Sequence, residues 1–235
     1  MLILDTYTSV TDEPSGSPFC VKAMCLLHMS GLEWKPRFLN DPSRAPKKKL
    51  PVLHDGASAI ADSEFIRQYL EDKHGIDFDV GLTDQQKAVS RLAIRTFDEH
   101  FYFAILSNRW MEEANWQNVK KAFFSDLPAP LKVFVPGLVR RNIRKALDGH
   151  GFGRHSVDEQ LLRAKQDVDA VAALLGDNNF LFGSDPSAAD ASVVPGLRSA
   201  CRLDPLMPLS HYVMKNDRLM AYLNRAKEAI YPQLN

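Results

Sequence analysis

Cysteine is scarce in this 235-residue chain, and excess charge of either sign is absent. The three cysteines, Cys20, Cys25 and Cys201, are odd in number and lack framework spacing. That argues against a disulfide scaffold and fits a reducing compartment, with the cytoplasm as the expected location. No Cys/His cluster has zinc-ligand spacing, so no metal is expected. Lys plus Arg and Asp plus Glu balance at 29 each, so net charge gives no reason to expect nucleic acid or an anionic membrane as partner. No stretch reaches the roughly 18 apolar residues of a spanning helix. The opening "MLILDTYTSV" lacks the basic region of a signal peptide.

What is present changes character along the chain. The first part alternates strand-like and helix-like signals. "LILDTY" and "EWKPRFL" are β-rich runs, and "LPVLHDGASAIA" reads as two strands joined by an Asp-Gly turn. "PFCVKAMCLLHMSG" and "DSEFIRQYLEDKHG" have helical spacing and end at glycine. The order is β-α-β-β-β-α, that of a thioredoxin-like fold lacking one helix. "IDFDVGLTD" is polar and aperiodic and reads as a linker, which divides the chain into residues 1–76 and 83–235. From Thr83 onward the pattern is helical only, implying a bundle. Ser156 with Glu159 has capping-box spacing, and Ser187 with Asp190 opens a later helix. The stretch Leu127–Leu147 holds five basic residues and no acidic one. It fits a bundle helix with a solvated basic face, or a helix lying on a membrane.

Several short motifs bear on chemistry. In "SGSPFC", Ser17-Pro18 suits an N-cap and first helical position, where the hydroxyl accepts from an orphan amide. The same placement would let the hydroxyl and the helix N-terminus stabilise a thiolate brought by a ligand. Cys20, one turn on, reads either as a buried small hydrophobe or as a reactive monothiol with lowered pKa. Pro51 in "KKKLPVL" begins a strand, trans or cis, and a bend there would turn the Val52 main chain outward. Asp62-Ser63 starts a helix. The pair reads as a cap, or as a site for an α-amino acid group, with Ser63 taking the carboxylate and Asp62 the ammonium. Lys49, with Lys47 and Lys48, is a solvated loop residue or a partner for a second carboxylate.

Together "SPFC", "KLPVL", "ADSEFI", the helical second half and the late "SAAD" resemble a cytosolic glutathione S-transferase. More narrowly, "FDEHFYFAILSNRW", "GHGFGRHSVDEQ" and "FLFGSDPSAADASV" look like the failed-axon-connections-like and metaxin-related branch. The resemblance implies a thioredoxin-like glutathione-binding domain followed by an all-helical domain that shapes an acceptor pocket. It places Ser17 opposite the glutathione sulfur, with Tyr7 as the alternative hydroxyl. Pro51 matches the family's cis-proline, Val52 pairs with the glutathione backbone, Asp62 and Ser63 hold the γ-glutamyl end, and Lys49 takes the glycyl carboxylate. Ser187 and Asp190 match a structural capping box. Tyr102 and Arg109 are the expected pocket residues. The implied activity is attack of the glutathione thiolate on a hydrophobic electrophile, by a homodimer. A non-catalytic adaptor and a thiol reductase using Cys20 are the alternatives.

Overall fold

The computed structural model describes residues 1–9, 12–39, 41–125, 127–202 and 207–233. Two compact units divide the chain. The first comprises Met1–Ile94, Leu175–Pro195 and Tyr222–Asn235; the second comprises Arg95–Leu174 and Gly196–Ala221.

The first unit is built on a four-stranded sheet in the order β2-β1-β3-β4. Its strands are β1 (Leu2–Thr6), β2 (Trp34–Phe38), β3 (Val52–Asp55) and β4 (Ser58–Ala61). β1 pairs parallel with β2 and antiparallel with β3, and β3 pairs antiparallel with β4. Pro36 is tolerated because β2 is an edge strand, where a missing amide donor need not break a ladder. Gly56 supplies the positive φ, +55°, of the β3–β4 turn. The helices of this αβ portion are α1 (Pro18–Met29) and α2 (Ser63–His74). Residues Cys20 to Leu27 are buried without a break, as befits a central helix that is apolar on nearly every side. The β-α-β-β-β-α order matches the sequence reading. Among the described residues, no helix lies between β2 and β3.

The segment read as a linker is tied down. Phe78 is buried, and Asp79 accepts from the Ser90 hydroxyl at 3.1 Å and the Ala188 amide at 3.1 Å. The Ser187/Asp190 box forms as expected: the Ser187 amide and hydroxyl donate to Asp190 Oδ2 at 2.8 and 2.7 Å. Asp190 Oδ1 also accepts from the Leu181 amide and the Tyr222 hydroxyl. Burial pushes the Asp190 carboxyl up, against those hydrogen bonds.

Helices α3 (Asp84–Thr96), α4 (Tyr102–Met111), α5 (Glu113–Phe124), α6 (Ala129–His150), α7 (Val157–Leu175), α8 (Ala188–Cys201), α9 (Pro208–Met214) and α10 (Asp217–Ile230) make up the rest. The sequence reads residues 84–110 as one helix, but a π-turn, Phe97–Phe101, interrupts it. Within the second unit that turn buries both Phe97 and Phe101. A Cβ on Gly196 would lie 2.7 Å from Phe97 Cδ1, so only glycine permits this approach. The π-turn also sets His100 Nδ1 2.6 Å from Asp167. Arg140 of α6 donates to the carbonyls of Trp110 and Met111 at 2.8 and 3.0 Å, satisfying the orphan end of α4. The Ser156/Glu159 capping box closes reciprocally at 2.8 and 3.3 Å. Among the described residues, no helix is long and apolar enough to cross a membrane.

Candidate functional site

Three sequence-distant motifs converge in the first unit. Cys20, one turn into α1, packs in one cluster with Leu50, Val52 and Ala61, and Tyr7 lies against it. The start of α1, the Leu50-Pro51 turn and the end of β4 are thereby neighbours. The Leu50-Pro51 peptide bond is cis. The Pro51 carbonyl accepts from the Asp62 amide at 3.2 Å, joining that turn directly to the start of α2.

Ser17 occupies the N-cap position of α1 with φ −117° and ψ 126°. Its carbonyl accepts the first helical bond, from the Val21 amide at 3.0 Å. Its hydroxyl makes no cap bond, which corrects the sequence expectation of a side-chain cap. The hydroxyl lies beside the Cys20 thiol instead. Burial pushes that thiol up, against hydrogen bonds from the Tyr7 backbone and the Thr6, Ser17 and Ser15 hydroxyls. Ser15 is itself fixed: its Oγ accepts from Thr6 Oγ1 at 3.1 Å and from the Ser17 amide at 3.4 Å. Cys20 has no exposed surface. A buried, protonated thiol is a poor nucleophile, so the reading of Cys20 as a reactive monothiol gives way to that of a packed one. Partly exposed Ser17 sits at a helix N-terminus with its side chain uncommitted to capping.

At the start of α2, Asp62 has φ +95° and ψ 131°, a conformation an L residue rarely adopts. Such a backbone costs on the order of 1–3 kcal/mol and clusters where function demands it. Asp62 Oδ1 accepts from the Glu64 amide at 2.9 Å, so the capping role is realised. Asp62 is exposed and Ser63 is buried. Val52 lies inside the sheet, facing Asp5 of β1 and Ala61 of β4. Its main chain is therefore not turned outward as expected. Leu50, before the cis bond, lies outside the ladder. Lys49 is exposed, and Lys47 sits over the Phe65 ring at 4.2 Å from its centroid.

Sequence reasoning missed a charged cluster behind this turn. Glu64 accepts from Lys22 Nζ at 3.1 Å, from Arg67 Nη2 at 2.8 Å and from Arg91. Arg67 also bridges to Glu71. Burial alone would raise the Glu64 carboxyl, but the Arg67 hydrogen bond and the Lys22 charge hold it below its ordinary value. Lys22, Arg67 and Arg91 thus surround the Glu64 carboxylate in the first turn of α2, and Glu71 holds Arg67 from the next turn. The only signal in the sequence is a lysine within the apolar run of α1.

In the second unit, Tyr102 and Arg109 lie seven residues apart on α4, on one face of it. Burial pushes the Arg109 guanidinium down, and Tyr102 is close enough to oppose that shift. Arg109 Nη2 donates to Ser199 at 3.4 Å. Among the described residues, no group of side chains has the makings of a metal site.

The family descriptions "Glutathione S-transferase N-terminal domain" and "Glutathione S-transferase, C-terminal domain" match residues 18–115 and 164–226. An isoprene-epoxide–glutathione S-transferase of Rhodococcus sp. is 26% identical, over 97% of this chain and 98% of its own. Failed axon connections of Drosophila melanogaster is 27% identical over 93% of this chain, which spans only 55% of that relative. Metaxin-3 of Danio rerio is 26% identical over 77% of this chain and 60% of its own length. A solved glutathione S-transferase from Methylobacterium radiotolerans, in complex with glutathione sulfonate, has the same fold, with a TM-score of 0.64 at 17% identity over 100% of this chain and 97% of its own.

Proposed function

We propose that this chain, which belongs to the glutathione S-transferase family, binds glutathione in its first unit and activates the glutathione thiol through Ser17. The carrying observation is the convergence of the Ser17 helix start, the cis-Pro51 turn and the Asp62-Ser63 helix start. Asp62 and Ser63 take the γ-glutamyl ammonium and carboxylate at the N-terminus of α2, whose orphan amides favour the carboxylate. Leu50, held by the cis bond to Pro51, presents its main chain to the cysteinyl part, and Lys49 takes the glycyl carboxylate.

Glutathione supplies the sulfur nucleophile. The Ser17 hydroxyl and the α1 N-terminus prefer the thiolate over the thiol, and the proton leaves to solvent. Each unit by which the thiol pKa falls corresponds to about 1.4 kcal/mol of preferential thiolate binding. The thiolate then attacks an electrophilic carbon, forming an S–C bond as the bond from that carbon to its leaving atom breaks; in a strained ring that atom stays on the product as an alkoxide and takes a proton from solvent. The similarity to a transferase named for an isoprene epoxide supports a small, apolar, strained electrophile as the acceptor class. Tyr102 and Arg109 belong to the acceptor-binding surface in this reading, and the protein acts as a cytoplasmic homodimer. Titrating the ultraviolet absorbance of bound thiolate against pH tests the role of Ser17. The wild type lowers the glutathione thiol pKa and Ser17→Ala does not; equal values in both would refute it.

The similarity to Failed axon connections and to a metaxin supports a second reading, a non-catalytic binding module on the same fold. Normal function of Ser17→Ala in cells lacking the wild-type protein would favour it.

A further inference from the structure

Helix α6 turns a row of side chains away from the protein that the glutathione chemistry leaves unused. Leu131, Phe134, Leu138, Arg141 and Lys145 recur at alternating spacings of three and four residues, which places them on one helical face. Leu131 is 47% exposed, Phe134 69% and Leu138 58%. Arg141, Arg144 and Lys145 are exposed too. The opposite side of the helix is the anchored one: Pro136 and Leu147 are buried, and Arg140 is bonded to the end of α4. A helix that buries one side and exposes an apolar row ending in cations is built for a partner with apolar and anionic parts.

Two occupants fit an exposed apolar row, and the charge pattern chooses between them. The stretch Leu127–Leu147 has five basic residues and no acidic one. A second copy of this face would set Leu131, Phe134 and Leu138 against the cations if antiparallel, and cation against cation if parallel. A bilayer surface carrying anionic headgroups accepts the apolar side chains at the acyl boundary and the basic ones at the headgroups.

We infer that α6 docks this protein on anionic lipid surfaces, with its apolar row at the acyl boundary and Arg141 and Lys145 at the headgroups. The inference is independent of the glutathione reading. It is tested by co-sedimenting the full chain with vesicles of phosphatidylcholine alone and of phosphatidylcholine with phosphatidylserine. Binding is expected to the anionic vesicles only, and to weaken with salt. Phe134→Ser with Leu138→Ser, and separately Arg141→Glu with Lys145→Glu, should each lower the partition coefficient by at least about tenfold. Both variants alter exposed residues, so unchanged circular dichroism and melting should accompany the loss. Absence of binding to anionic vesicles overturns the proposal, as does undiminished binding by either variant. A Phe134→Ser/Leu138→Ser protein that falls from oligomer to monomer, with no vesicle binding in the wild type, assigns the face to a second copy instead.

Discussion

The Lys22 ammonium lies 3.1 Å from the Glu64 carboxylate, and both side chains are nearly sealed from solvent, at 1% and 9% exposure. This pair ties α1, which carries Ser17, to the first turn of α2, which carries Ser63. Glu64→Gln removes the carboxylate from a buried ammonium and should cost about 3–5 kcal/mol at neutral pH. Lys22→Met should cost less, because Glu64 keeps Arg67 and Arg91. The folded Glu64 carboxyl sits below its ordinary value, so its stabilisation is complete above that value and fades as pH falls through the folded one. The gap between wild type and Glu64→Gln, measured by urea denaturation, should therefore be widest near neutrality and begin to narrow only as pH falls past the ordinary carboxylate value of about 4.3.

Cysteine accessibility follows from burial. Cys20 and Cys25 are fully buried, whereas Cys201 is partly exposed. In a thiol-reagent titration, Cys201 should react in the native protein and the other two only after denaturation. Fast native labelling of Cys20, located by mass spectrometry, would return the thiol-reductase reading to contention.

Asp62 joins two roles that substitution can separate. Asp62→Asn keeps an oxygen to accept from the Glu64 amide and tolerates positive φ, so stability should move by less than about 1 kcal/mol. The same variant removes the negative charge proposed to meet the γ-glutamyl ammonium. Glutathione affinity should then fall by roughly tenfold, the loss of one charge-assisted hydrogen bond. Equal affinity in calorimetry would remove Asp62 from the binding site.

Asp190 is a structural counterpart. Its carboxylate accepts from Ser187, Leu181 and Tyr222 and has no exposed surface. Asp190→Ala strands those donors in the interior and should destabilise the protein by about 3 kcal/mol or more. Glutathione affinity of the folded fraction should be unchanged.

Local signals were readable in the sequence wherever a local rule sets the structure. The Asp55-Gly56 turn, the Ser156/Glu159 and Ser187/Asp190 boxes, and the strand-helix order all depend on residues a few positions apart. What was not readable depends on distant partners. Nothing local to Ser17 says that the Cys20 thiol beside it also meets Thr6 and the Tyr7 backbone, which the packing of α1 against β1 brings there. Lys22 and Glu64 are 42 positions apart, and their pairing exists only once α1 and α2 pack. The Val52 main chain read as outward because the sheet order, with β1 and β4 on its two sides, is a tertiary fact. The π-turn at Phe97–Phe101 adds one residue to a helical turn without leaving a gap in the apolar periodicity.

The central claim is that the first unit holds glutathione, and calorimetric titration of the purified protein with glutathione, up to several millimolar as suits common KM values, tests it most directly. The account predicts saturable binding that is weakened in Asp62→Asn and retained in Asp190→Ala. Absence of heat and of saturation across that range, with the protein shown to be folded, would contradict it.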